Sequence, residues 1–504
     1  VVTSRLAALR DVLKSQGVSA FIIPSTDPHL SEYVAPHWHS REWISGFNGS
    51  AGTVVVTLEK AGLWTDSRYF LQAADQLQGT GIDLYKEMLP ETPSIAQFLT
   101  AELKAGDAVG IDATVFSTEG AKALKEELDA AGIELKYIAD PLATIWSDRP
   151  TIPQDPIVVH PLRYAGKPTE EKLSDIRQAL AAKGAEAIFV SLLDEIAWTL
   201  NLRGSDVHCN PVFVAYLYIG REETILFTDA AKVPQETADY LASIHVSVAP
   251  YAEAAATLSR LQGVKLLLDL PKTNAAIYEA AQQGCTIIDS ASPICLMKSV
   301  KNAMEQAGFR EAMIRDGVAM VKFLRWLKPA VEQGGQTELT IDEKLCALRA
   351  EQADFRGISF DTIAGYGAHG AIVHYEATPE TDIPLEPKGL LLLDSGGQYL
   401  DGTTDLTRTI ALGPTTEEER TDYTLVLKGF LALMNAEFPA GTCGTQLDVL
   451  ARQAMWKMGI NYLHGTGHGV GSYLCVHEGP HQIRMNHMPT LLQAGMTVTD
   501  EPGI

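Results

Sequence analysis

Paired cysteines are missing from this chain: Cys209, Cys285, Cys295, Cys346, Cys443 and Cys475 are scattered through its 504 residues. That spacing excludes a zinc finger or a CxxC redox motif and does not suit a disulfide framework, so buried thiols in a reducing compartment are expected. Long apolar runs are lacking too. No stretch approaches 18 apolar residues, and no membrane partner or span is expected. The residues from Val1 onward carry neither the n-region nor the h-region of a signal peptide, so a soluble, cytoplasmic protein is expected unless a leader was removed. Positive charge is scarce: 40 Lys and Arg stand against 63 acidic residues, for a formal net charge of −23. So acidic a surface repels polyphosphate and argues against nucleic acid as a partner.

What is present is apolar material for several cores, with 46% of residues hydrophobic, and an internal repeat. Leu6, Leu9, Arg10, Leu13, Gly17 and Ala20 precede the apolar run 21–23. At a constant offset of 167, Leu173, Ile176, Arg177, Leu180, Gly184 and Ala187 precede 188–190. Each copy reads as an amphipathic helix stopped by glycine and followed by a buried strand. Two related α/β domains are therefore expected, over 1–150 and 151–295. Between them, prolines at 150, 153, 156 and 161 mark a linker, because proline lacks an amide donor and breaks regular elements. A third domain is expected over 296–504. There Met313, Met320, Val321, Leu324 and Leu327 mark one face of a long helix, and Thr340 with Glu343 has the spacing of a capping box.

The third region holds 7 of the 13 histidines. Its apolar run 390–393 ends at Asp394. After Gly396 and Gly397 come an Asp401–Gly402 turn and a strand-like run, 403–410, containing Asp405. Asp-Gly between two such runs predicts a hairpin. With those two residues as the turn, Asp405 falls opposite Gln398, and Asp394 shares that parity, so both carboxylates face one side. They would stand about 13 Å apart at roughly 3.3 Å per residue. Sharing an ion then requires a bend, which Gly396 and Gly397 can supply. Taken singly, each aspartate reads as a cap or turn residue.

The run His464-Gly-Thr-Gly-His468-Gly-Val-Gly is too glycine-rich for a helix. That excludes the two-histidine face of an HExxH site, and Val470 stands where a GxGxxG loop needs glycine. A backbone so free of side chains suits close approach by an ion or substrate; the bland alternative is a tight turn with a buried histidine. Val476-His477-Glu478-Gly479-Pro480 and Thr499-Asp500-Glu501-Pro502-Gly503 follow, in which Glu478 and Asp500 read as solvated neighbours. Two aspartates, one histidine and one glutamate make an oxygen-rich, single-imidazole set. It favours manganese, cobalt or zinc as a cluster and argues against a thiolate site.

In order, Ala371-Ile-Val-His374-Tyr, Leu393-Asp394-Ser-Gly, Thr404-Asp405-Leu-Thr-Arg408, the His464–His468 run, Val476-His477-Glu-Gly-Pro and Asp500-Glu501-Pro-Gly resemble the metallopeptidase family of methionine aminopeptidase, prolidase and aminopeptidase P. Its catalytic domain is called the pita-bread fold. The resemblance extends to Trp64-Thr-Asp-Ser-Arg68-Tyr-Phe in the first domain and is nearest the three-domain, cytosolic type. It implies two α/β domains followed by a pita-bread domain, and hydrolysis of the bond between an N-terminal residue and a following proline. It also implies two divalent metal ions, manganese first, with zinc or cobalt as alternatives. Asp394 would chelate one ion, Asp405 bridge both, and His468 and Glu501 hold the second, with Glu501 also moving a proton. His374 and His477 would contact substrate and steady the tetrahedral intermediate, and His464 would be a further pocket histidine. Arg68 would reach a neighbouring subunit's site in a homodimer.

The family pattern includes a fifth ligand, a glutamate in a strand shortly after the Glu-Pro-Gly motif. This sequence stops at Ile504, and the natural full-length protein is expected to continue. Three alternatives stand beside the aminopeptidase. They are a prolidase acting only on dipeptides, a metal-free creatinase-like hydrolase, and a non-catalytic pita-bread protein that binds peptides. The duplicated N-terminal half counts against the first, and the ligand set against the other two.

Overall fold

The computed structural model describes residues 1–504. The chain divides into two compact units: Val1–Val159, Thr169–His208 and Val212–Pro293 form one, and His160–Pro168, Cys209–Pro211 and Ile294–Ile504 form the other.

In the first unit the repeat shows as two six-stranded sheets of one design. The first runs Asp83–Lys86, Ala61–Thr65, Thr53–Thr57, Ala20–Ile23, Ala108–Ile111, Glu134–Tyr137. The second runs Val246–Ala249, Thr224–Phe227, Tyr216–Ile219, Ala187–Val190, Lys265–Leu268, Thr286–Asp289. In each, the strand predicted from the repeat is central, antiparallel to the neighbour on one side and parallel to that on the other. The preceding helices, Val2–Ser15 and Thr169–Ala182, bury Leu6, Leu9 and Leu13 and, at the same offset, Leu173, Ile176 and Leu180. Each such leucine or isoleucine contributes roughly 1.5–3 kcal/mol on burial. Gly17 and Gly184 follow these helices with φ of 66° and 73°, the left-handed turn that glycine adopts without cost.

The second unit begins with the helix Ala303–Gln333, capped by Asn302 and Glu305. Its inner face differs from the one expected. Met320 and Leu327 are buried, but Met313 and Val321 are 44% and 67% exposed. The buried stripe runs through Phe309, Ala312, Asp316, Ala319 and Phe323, and an apolar pattern could not reveal it because it carries a charge. Asp316 accepts from Arg349 Nε and Nη2 at 2.7 and 3.0 Å and from Tyr399 Oη at 2.8 Å. The next helix, Glu338–Ala350, starts earlier than expected, its capping box being Thr337 with Thr340. Two three-stranded sheets follow. One orders Phe355–Ile358, Gly397–Tyr399, Gly402–Thr403; the other orders Ile363–Tyr366, Leu390–Ser395, Leu406–Ala411. Two helices, Glu417–Met434 and Gly444–Trp456, and the strand pair Gly467–Gly469 and Glu478–Ile483 complete the unit. No helix is long and apolar enough to cross a membrane.

Candidate metal centre

The hairpin carrying the two aspartates has another register than expected. Tyr399 pairs with Gly402 and Gln398 with Thr403, so Leu400 and Asp401 form the turn, and Asp394 lies opposite Thr407. Asp405 is thereby displaced two residues from the predicted position, to the level of Gly396. Parity is preserved, so both carboxylates still share a face, now as diagonal neighbours, a relation spanning about 7–8 Å. The bend is at Gly396, where the two small sheets part. A Cβ there would stand 1.9 Å from the Thr404 carbonyl oxygen, so no other residue lets Asp405 come in.

The histidine arrives on the strand Gly467–Gly469. A Cβ on Gly467 would meet the Thr499 carbonyl at 2.1 Å, and one on Gly469 the Glu478 carbonyl at 2.5 Å. The glycines thus admit protein backbone, where the sequence suggested an ion or substrate. Thr499 N donates to His468 O at 2.9 Å, His468 N to Thr499 Oγ1 at 3.0 Å and Glu501 N to Thr466 O at 2.7 Å. These bonds lay Glu501 alongside His468.

The result is a tight group. His468 Nε2 lies 3.3 Å from Asp405 Oδ2 and 3.0 Å from Glu501 Oε1, and one donor atom from each of the three falls within 4.8 Å of the others. His468 Nδ1–H donates to the Gly469 carbonyl at 2.7 Å, which orients the ring and leaves Nε2 as the atom available to an ion. Asp394 stands at the edge of this trio. It is buried, and its Oδ1 has no hydrogen-bond partner. Burial, then the charges of Asp405 and Glu501, push its carboxyl well above the ordinary range. Burial also raises Asp405. For Glu501 burial acts upward, but His468 outweighs it and holds the group at about 2. For the His468 ring burial acts downward, and Asp405 with Glu501 outweigh it and raise the ring well above its usual value. Three carboxylates converging on one imidazole attract positive charge. Hard oxygens plus one nitrogen, with the orphaned Asp394 oxygen, fit divalent cations.

His477 sets its ring edge-on to His468, centroids 4.4 Å apart, and His374 lies 6.4 Å beyond at 19° to His477. The sequence-predicted His374, His477, Asp394, Asp405, His468 and Glu501 are therefore brought together. His464 is not in the trio; its ring packs on Tyr462 at 4.7 Å. Arg68, in the first unit, donates from Nε and Nη2 to Asp66 at 2.8 Å each, with Glu32 at 3.8 Å. Glu478 is no solvated neighbour. It is 2% exposed and paired with Lys298 at 2.6 Å and with Lys301, anchoring the chain beside His477. Asp500 also has buried oxygens, and burial with Glu501 pushes it up to about 7. Thr499, which donates to Glu501, was missed although it sits within the quoted motif. A threonine two residues from a carboxylate is a common local pairing.

An oxygen-rich centre on an antiparallel sheet, preceded by a duplicated α/β unit, defines a metal-using hydrolase. Residues 5–145 and 148–305 each match a creatinase/prolidase N-terminal domain family, and residues 307–504 match metallopeptidase family M24. A probable Xaa-Pro aminopeptidase P of Laccaria bicolor is 42% identical, the match covering 99% of this chain and 79% of that protein. Aminopeptidase P2 of Arabidopsis thaliana is 41% identical over 100% of this chain and 76% of its own length. Among solved structures, X-prolyl aminopeptidase of Caenorhabditis elegans, a cytosolic enzyme with a di-nuclear active site, superposes with a TM-score of 0.95 at 35% identity, covering 100% of this chain and 85% of that one. The Xaa-Pro dipeptidase of Bacillus anthracis shares the fold over 66% of this chain and 90% of its own, with a TM-score of 0.55 at 22% identity. The chain belongs to metallopeptidase family M24, with creatinase/prolidase-type domains ahead of its peptidase domain. The fold is the expected one, two related α/β domains followed by a pita-bread domain.

Proposed function

We propose that the protein is an Xaa-Pro aminopeptidase that removes an N-terminal residue preceding proline. What carries this is likeness to X-prolyl aminopeptidases over the whole chain, duplicated domains included, joined to the Asp405–His468–Glu501 group. Asp394, Asp405, His468 and Glu501 hold two divalent ions, manganese first, with zinc or cobalt able to replace it. Such a pair supplies Lewis acidity and acidifies water at neutral pH. The chain's own groups do the rest. Glu501, beside His468, accepts and returns the proton of the attacking water. His477 and His374 line one side of the centre and donate to the charge that develops on the carbonyl oxygen or the leaving nitrogen. His464, whose ring packs on Tyr462, is assigned as a further substrate-contacting histidine. Proline at the second position makes the scissile nitrogen a tertiary amide within a ring, so a dedicated pocket holds it. The protein acts in the cytoplasm as a homodimer in which Arg68 reaches the partner's site; a strictly monomeric protein would overturn that last arm.

The test is to incubate the protein with Arg-Pro-Pro, Gly-Pro and Leu-Ala-Ala, with and without manganese. Release of arginine from Arg-Pro-Pro, with Leu-Ala-Ala a poor substrate, supports the proposal. Turnover confined to Gly-Pro makes the protein a prolidase, and equal turnover of both tripeptides removes proline specificity.

A further inference from the structure

The first sheet of the first unit has a cleft of about 340 Å³ whose lining includes Ile23, Trp38, Asp112, Asp140, Trp146 and Arg149. It opens at the carboxyl ends of Ala20–Ile23 and Ala108–Ile111, which are parallel neighbours. From the first strand the sheet extends to one side, and from the second to the other. Open α/β sheets bind ligands at such divergence points, and small-molecule sites have volumes from about 300 Å³ upward.

The duplicated copy supplies an internal control. Its equivalent crevice, lined by Ser191, Glu195, Asp269 and Ser292, has only about 10 Å³, space for one water. Asp269 follows its strand as Asp112 does, and Ser292 stands where the first copy has Asp140. Ser292 fills the gap by donating through Oγ to Glu195 at 2.8 Å and through N to Asp269 at 2.9 Å. Glu195 is present because the helix Leu193–Leu200 begins almost directly after the strand. At the same offset of 167 the first copy has Pro28, and no helical turn forms until Pro36–Trp38. Pro28 and His29 instead form a tight turn, closed by Leu30 N donating to Asp27 O at 3.0 Å, and Pro28, standing in place of Glu195, brings no carboxylate to close the first crevice.

Its charges indicate what it takes. Each of the three Arg149 nitrogens has a partner: the side chain donates to Asp140, to the His37 carbonyl at 2.8 Å and to Ser40 Oγ at 3.3 Å. Asp112 receives Thr114 N and Oγ1, at 2.9 and 2.7 Å, both on Oδ1; no basic side chain pairs with it, and Oδ2 is left for another donor. Burial pushes this carboxyl up, as it does for a carboxylate lacking its counter-ion. We propose that the cleft binds a small organic ammonium ion, its charged nitrogen on Asp112 and its aromatic or branched apolar body against Trp38 and Trp146. The site is independent of peptide hydrolysis and uses none of the metal-centre residues.

Calorimetric titration of the protein with phenethylamine tests this, with phenylacetate as a probe of similar shape and opposite charge. Phenethylamine should bind one per chain, at least ten-fold more weakly in Asp112→Asn, and phenylacetate should not bind. Ala143→Trp, which projects an indole into the cleft from an exposed lining position, should abolish binding while peptide hydrolysis continues. No binding at millimolar concentration, equal binding of the two probes, or unchanged affinity in Asp112→Asn would overturn the proposal. Should Ala143→Trp not fold, Asp112→Asn decides alone.

Discussion

Two sets of buried carboxylates in the second unit are treated in opposite ways. Asp316 faces Arg349, Asp448 faces Arg452 at 2.6 Å, and Glu478 faces Lys298 and Lys301. Each brings its cation from within the chain. Asp394, Asp405 and Glu501 instead crowd one another around a single imidazole. Breaking a buried pair leaves an uncompensated charge and is costly, so the first set holds the structure together. The second set stores repulsion that an added cation relieves. The difference separates frame from function by charge balance alone.

The comparison breaks most visibly at Asp405. Asp405→Ala should lower bound metal and cut turnover by several orders of magnitude, since in the proposed centre the ions would supply the acidified water. The metal-stripped variant should melt no lower than the metal-stripped parent, because a carboxylate penalised by burial has gone. Elemental analysis, kinetics and thermal melts report all three, and near-normal turnover would remove Asp405 from the centre. Arg349→Met should do the reverse. Asp316 is left buried and unpaired, at about 3–5 kcal/mol of stability, seen as a lower urea midpoint, while the folded fraction keeps its kcat. His477→Ala sharpens the line between holding an ion and using it. Turnover should fall about 10²–10³-fold, the typical cost of one lost positioned donor, with metal content unchanged. If metal is lost as well, His477 is a ligand.

The smallest effect concerns a buried group of the first unit. His29 donates through Nδ1–H to the Ser191 carbonyl at 2.8 Å, and its Nε2 accepts from Tyr251 Oη at 2.8 Å. Burial lowers its pKa. Below about 6.5 the unfolded chain takes up a proton that the folded one refuses. This contribution is therefore complete above that pH and is lost as pH falls, by at most about 1.4 kcal/mol per pH unit. His29→Gln should flatten the difference between urea midpoints at pH 7.5 and 5.5; an unaltered difference would exclude His29 as its source.

Much of this was legible in the sequence because it is written locally. The repeat at offset 167, the glycines closing both helices and the motifs around Asp394, Asp405, His468 and Glu501 are each short-range patterns. The failures have two physical origins, a turn without a signature and partners distant in sequence. The register of the Asp394–Asp405 hairpin depended on which pair made the turn, and Leu400–Asp401 leaves no Asn-Gly or Asp-Gly sign. The inner face of Ala303–Gln333 was misjudged because Asp316 is buried by Arg349, which comes from the next helix. Glu478 looked solvated because Lys298 and Lys301 lie 180 and 177 residues away. Partners that remote leave no periodicity to detect.

The backbone bonds joining Thr466 and His468 to Thr499 and Glu501 carry a further consequence. His468 and Thr499 are 31 residues apart, and closing such a loop costs on the order of 3 kcal/mol in chain entropy. Here folding has already met that cost. In the proposed centre His468 and Glu501 would therefore act as one chelating arm, leaving an arriving ion only the arm and the Asp394–Asp405 hairpin to join.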